Sequence, residues 1–193
     1  MQHKVKSHKP PAPDKRVHIW RPNYLADKFI PGRIVIAADC AQGISGWAKA
    51  SDGVVVSSGF TPKFTGLDAP RALWDFLVEN MRDIPPVVSG APPPLLVVED
   101  QFGGRNIKAS IALVAARQTW ICYGWTHGWN TCLVDNQTWK KLLGLTAAEL
   151  KSEPIRKPAV KKTAADFVGI DCNLDSIDEA TALVILKWGL QRD

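Results

Sequence analysis

The sequence contains no apolar run approaching the roughly 18 residues needed to cross a bilayer, and its N-terminus has no apolar signal core. Membrane spanning and secretion are therefore not expected, and the expected location is the cytoplasm. Cysteine is scarce and unpatterned. Cys40, Cys122, Cys132 and Cys172 form no CxxC pair and sit among apolar neighbours, which argues for reduced core thiols rather than disulfides or a zinc site. No internal repeat is visible, so solenoids and propellers are excluded. Acids are nearly missing from one region: residues 1 to 33 hold eight basic residues against Asp14 and Asp27, a net +6 that leaves −1 for the rest of a chain whose total is +5.

What is present suits one α/β domain of 193 residues, 46% hydrophobic. The division expected is a flexible basic arm over 1–32 and a folded domain over 33–193. An arm rich in Lys, Pro and His on a nearly neutral body fits a segment lying along phosphates, and equally a solvated tail. A second basic cluster, Lys151, Arg156, Lys157, Lys161 and Lys162, stands in a stretch punctuated by Pro154 and Pro158 and reads as a loop.

Three antiparallel strands open the domain: "RIVIAAD", ending at Asp39, then "GWAKA" and "GVVVSSGF" joined through Ser51-Asp52-Gly53. Asp68 is placed to cap a helix carrying Leu73, Phe76, Leu77 and Met81, and "PPVVSGAPPP" forms a loop before a fourth strand, "LLVVE". A long helix from about Asn106 to about Tyr123 then leads to a fifth strand, "TCLVDN", an order that demands a parallel pair with a crossover. The result is a five-stranded mixed sheet, three antiparallel strands then two parallel, flanked by helices. The long helix has two apolar stripes, Ile107, Ile111, Val114 and Ile121 on one, Leu113, Ala116 and Trp120 on the other. One suits the sheet, the other a second subunit, with Trp120 as the contact candidate or as plain core. Further on come a short helix at "TWKKLLG", a capping box from Thr146 to Glu149, and helices at about 159–168 and 175–190, the last capped by Asn173 or Asp175.

The chemistry concentrates in acids at element ends. Asp39 ends the first strand and Glu99 the fourth, while Asp175 and Asp178 lie three apart where the last helix starts. A strand as apolar as "LLVV" that ends on Glu99 and Asp100 needs a cation nearby, because an unpaired buried charge is costly. Clustered carboxylates are the ligands Mg²⁺ or Mn²⁺ prefers, and two such ions about 3.5 to 4 Å apart activate water at a phosphodiester. Asp175 and Asp178 taken alone would equally complement the helix dipole. Asp100 should point away from Glu99, toward solvent or a supporting contact.

"IVIAADCAQGISGWA", "VVEDQFGGRNIKASIALVAARQ" and "DSIDEATALVI" resemble the three signatures of RuvC-type Holliday junction resolvases, of the ribonuclease H-like superfamily, over residues 33 to 190. The resemblance implies that fold and that Asp39, Glu99, Asp175 and Asp178 are the catalytic, metal-binding acids, with Phe102 stacking on bases at the opened crossover. It also brings Arg105 and Asn106 to the DNA, finds Asn106 and Arg117 at positions the family fills with the same residue types, and assigns Lys140 or Lys141 and Lys161 or Lys162 to the phosphates. It further implies two Mg²⁺ or Mn²⁺ ions, branched DNA as partner and a homodimer, as in a phage-type divergent member. Cys40-Ala41 depart from the Pro-Gly that usually follows the first aspartate, and the arm has no counterpart. Three rivals stay open: a less selective nuclease acting on flaps, forks or RNA hybrids; a branched-DNA-binding subunit without catalysis; and an actin-like ATPase, for which the chain is short.

Overall fold

The computed structural model describes residues 30–41, 43–100, 107–169, 174 and 176–192, and the backbone alone of 17–19. Among the described residues, six strands form one sheet. They are β1 (Val17–Ile19), β2 (Ile34–Cys40), β3 (Ser45–Ser51), β4 (Val54–Phe60), β5 (Leu95–Asp100) and β6 (Asn130–Asp135). The spatial order is β1-β4-β3-β2-β5-β6. β2, β3 and β4 pair antiparallel, whereas β5 pairs parallel to both β2 and β6. The expected five-stranded mixed arrangement is present, and β1, antiparallel to β4, adds a sixth strand from within the basic arm.

Each strand tells its two faces apart by alternation. Val35, Ala37, Val97 and Val134 face a core built with α5 (Glu153–Val168) and α6 (Ile177–Leu190), whereas Ile36, Ala38, Leu96 and Val98 face α1 (Ala69–Asn80) and α2 (Ile107–Thr126). The β3–β4 hairpin turns on Asp52 and Gly53, at φ of 51° and 74°. A two-residue Asp-Gly loop supplies those left-handed conformations at little cost. α6 lies unusually close to the sheet at Gly189, where a side-chain carbon would stand 2.9 Å from Val97 Cγ2.

Three local expectations change, and one left open, the place of Trp120, is decided for the core. Asp68 precedes α1 but makes no side-chain cap, and Pro70 occupies the first turn instead. The basic "loop" is the front half of α5: Pro154 sits in the first turn, where its missing N–H has no helical partner, and Pro158 is carried inside the helix. Val160, Ala164, Phe167 and Val168 bury along one side of α5, and that packing outweighs one missing backbone bond. α6 begins at Ile177 with Ser176 as cap, its hydroxyl accepting from the Asp178 N–H at 3.1 Å; the expected cap candidates, Asn173 and Asp175, lie outside the described residues. Trp120 is fully buried in the core on the α1–α2 side, not at a surface for a partner. The short helix α3 (Asn136–Lys140) continues into a 3₁₀ turn, and Thr146 and Glu149 form the expected capping box of α4 (Ala147–Lys151). Among the described residues no helix is long and apolar enough to cross a membrane.

Candidate active site

Parallel pairing of β2 with β5 sets Ala38 opposite Val98. The next residues, Asp39 and Glu99, therefore stand side by side on adjacent strands and turn to the same face, toward α6. Both are buried, at 4% and 1% exposure. Asp39 lies within interaction range of Glu99 and of Thr181, one turn into α6. Glu99 Oε1 also accepts from the Trp139 indole Nε1–H at 2.8 Å, a buried bond that orients the carboxylate.

The third acid arrives from α6. Asp178 lies in its first turn, close enough to Asp39 to act on it electrostatically. The approach depends on Gly46, which is paired with Asp39 across β2 and β3. A Cβ on Gly46 would lie inside the Asp178 carbonyl, so only glycine lets the start of α6 rest on the strand.

Burial, then the neighbouring Glu99 and Asp178 carboxylates, push the Asp39 carboxyl well above the usual aspartate range. Burial also raises Asp178, opposed by its bond to Ser176 and by the nearby Lys157 ammonium. On the other side, burial and Arg156 lower Lys140, while Glu99, Asp39 and Asp135 hold its charge in place. The site is thus a largely buried acidic cluster with Lys140 of α3 and Lys157 of α5 within electrostatic reach. All-carboxylate donors fit a hard, oxygen-preferring divalent cation, and burial first, then repulsion from Glu99 and Asp178, raise Asp39 in a way such an ion would offset. Among the described residues no three His, Cys, Asp or Glu side chains close around a common point.

Of the expected site residues, the structure sets Asp39 and Glu99 side by side, with Asp178 and Lys140 within electrostatic reach of them. Lys141 is exposed on the 3₁₀ turn. Lys162 is exposed and paired with Asp166 at 2.8 Å, and Lys161 lies one helical turn beyond Lys157 along α5. Asp100 turns to the opposite face and forms an ion pair with Arg117 of α2, the supporting contact expected of it. Asp175, Phe102, Arg105 and Asn106 fall outside the described residues. Sequence reasoning missed Trp139, Gly46, Thr181 and the reach of Lys157. Trp139 directly precedes the Lys140-Lys141 pair, and a Trp beside lysines after a strand end was the available signal.

This architecture matches known structures. Thermus thermophilus RuvC in complex with a Holliday junction substrate superposes with a TM-score of 0.60 at 15% identity, covering 80% of this chain and 90% of that one. The fold is that of RuvC. A second Thermus thermophilus RuvC structure gives 0.57, again at 15% identity, covering 80% of this chain and 91% of RuvC. No family model matches the chain, and no curated protein does. The RuvC fold thus supports the ribonuclease H-like architecture expected from the three sequence signatures.

Proposed function

We propose that the chain is a divalent-metal-dependent endonuclease that cuts four-way or otherwise branched DNA. The observation that carries this reading is the buried Asp39–Glu99 pair at the ends of adjacent parallel strands, with Asp178 beside it, on the fold that in Thermus RuvC is seen with a Holliday junction. Asp39, Glu99 and Asp178, with Asp175, are the residues that would hold Mg²⁺ or Mn²⁺. Bound there, one or two such ions would supply Lewis acidity and an activated water for phosphodiester hydrolysis.

The chain's own residues supply position and charge. Trp139 fixes one Glu99 oxygen, so that carboxylate need not reorganise during the reaction. Gly46 sets the depth at which Asp178 arrives. Lys140, held over the Trp139 ring at 5.4 Å, puts a cation beside the acids, where it would help neutralise a phosphate diester. Phe102, three residues after Glu99, is the candidate base-stacking residue.

The proposed assembly is a homodimer, because a four-way junction has two-fold symmetry and needs two opposed cuts. Supporting it, α2 exposes Ile107, Ile111, Val114 and Trp125 at 75%, 63%, 46% and 62%. Ile107, Ile111 and Val114 follow the 4-3 spacing of a helix that meets another helix, and exposed Gln118 stands at the next position; Ile121 belongs to the chain's own core. Cleavage of a synthetic four-way junction, compared with duplex, fork and RNA hybrid under Mg²⁺, Mn²⁺ and chelator, tests the proposal. Metal-dependent preference for the junction is expected. Equal cutting of all four would return the reading to a less selective nuclease, and binding without cutting to a non-catalytic subunit.

A further inference from the structure

Residues 179–186 of α6 are all buried, and among them Glu179 alone carries a charge, with Thr181 the other polar side chain. Glu179 is 0% exposed. Stability does not call for a carboxylate there, because burying one costs more than burying an apolar side chain of similar length. Its Oε1 accepts from the Ser58 hydroxyl at 2.6 Å, and Ser58 is buried as completely on β4. The bond ties the first turn of α6 to a strand 121 residues earlier.

Strand register shows how that tie bears on the acids. Asp39 is opposite Gly46 and Gly46 opposite Phe60; two residues away along each strand, Ala37 is opposite Ala48 and Ala48 opposite Ser58. Residues two apart share a sheet face, so Ser58 faces α6 as Asp39 does, one row off and about 7 Å along the strands. The start of α6 meets both rows: the Asp178 backbone rests on Gly46, and the next side chain, Glu179, is held by Ser58. Asp178 is the second residue of its helix, and helix ends fray. The Gly46 contact limits how near this turn can come, but steric contact alone does not stop it from lifting or sliding along the strand. A hydrogen bond, which has both a length and a direction, does.

We propose that Glu179 is a positioning residue: its bond to Ser58 fixes the first turn of α6 on the sheet, and with it the place of the Asp178 carboxylate relative to Asp39 and Glu99 for a divalent cation. The inference rests on the metal-site reading of those three acids, and Glu179 itself touches neither metal nor substrate. Its test uses the full chain and reads Mn²⁺ binding by titration calorimetry without DNA, beside melting temperature in chelator and junction cleavage over a range of Mg²⁺. Ser58→Ala combined with Glu179→Met removes both partners of the bond together, a change that costs little stability when shape is kept.

The double variant should melt close to wild type yet bind Mn²⁺ about 10-fold or more weakly, the loss usual when a contact that orients metal ligands is removed, and its cleavage should need correspondingly more Mg²⁺. Ser58→Ala alone leaves α6 unaltered and carries the same test should the double variant unfold. Glu179→Gln keeps an oxygen that accepts from Ser58 and should restore most of the affinity. Wild-type Mn²⁺ affinity in Ser58→Ala and in the double variant makes the bond purely structural and overturns the proposal. Equal losses in Glu179→Gln and the double variant overturn it as well, because charge and not the hydrogen bond would then matter. Wild-type protein that binds no Mn²⁺ overturns this inference together with the metal-site reading. Mn²⁺ binding that weakens with loss of the bond, in a protein that cuts no junction, leaves the role of Glu179 standing and sinks the nuclease reading alone.

Discussion

At Asp39 the chain keeps a carboxylate where its surroundings favour a neutral group. Burial and the nearby Glu99 and Asp178 all raise its pKa, so the folded state holds this proton to higher pH than the unfolded chain does. Stability linked to Asp39 is therefore present near and below 3.8, the ordinary aspartate value, and is lost as pH rises toward the raised one. Asp39→Asn removes the charge and keeps the shape. In chelator it should melt higher than wild type at neutral pH and show a flatter pH dependence of Tm, while losing cleavage; calorimetry across pH checks the first two and a junction assay the third. A lower Tm for the variant would mean that the repulsion is not felt. Trp139→Phe tests the neighbouring hydrogen bond: without the indole N–H, metal affinity or rate should fall by about 10- to 100-fold with Glu99 still present. Lys140→Gln should slow cleavage more than Lys141→Gln, because Lys140 is the one that feels Asp39 and Glu99.

At the scale of elements, the junction of β3 with α6 carries the strongest steric demand. Gly46→Ala forces a methyl into the Asp178 carbonyl. Overpacking of this kind costs about 1 to 3 kcal/mol, which at about 2 to 4 °C per kcal/mol for a chain of this length lowers Tm by roughly 2 to 12 °C. Cleavage should fall by more than the folded fraction does, since Asp178 moves with the helix; parallel decreases in the two would make Gly46 purely structural. The strands were legible in the sequence because apolar runs such as "IVIAAD" and "LLVVED" end abruptly on acids. The front of α5 was not, because Pro154 and Pro158 are local signals of a break, and only burial of Val160, Ala164 and Phe167 outweighs them. Trp120 was ambiguous for a related reason: periodicity puts it on a stripe but does not say which stripe meets the sheet. Asp39 and Glu99 were legible individually, yet their adjacency depends on parallel pairing of β2 with β5, two strands 55 residues or more apart.

For the whole molecule, buried acids at one end of the sheet and exposed apolar residues on α2 are the features on which the proposed action on a two-fold substrate rests. Ile111→Glu with Val114→Glu on α2 should convert a dimer to monomer in sedimentation without lowering Tm, as both side chains are exposed within the single chain. A wild-type monomer at micromolar concentration would remove the symmetric-cleavage proposal. The acid site itself is tested most directly by single-turnover cleavage of a four-way junction by wild type and Glu99→Gln, each in saturating Mg²⁺, with junction binding measured in chelator. Wild type should cut only with the metal, and the variant should lose roughly 100-fold or more in rate while binding stays within a few-fold, since a metal ligand is removed and a negative charge near the phosphates goes with it. A Glu99→Gln protein that cuts at close to the wild-type rate would contradict the account.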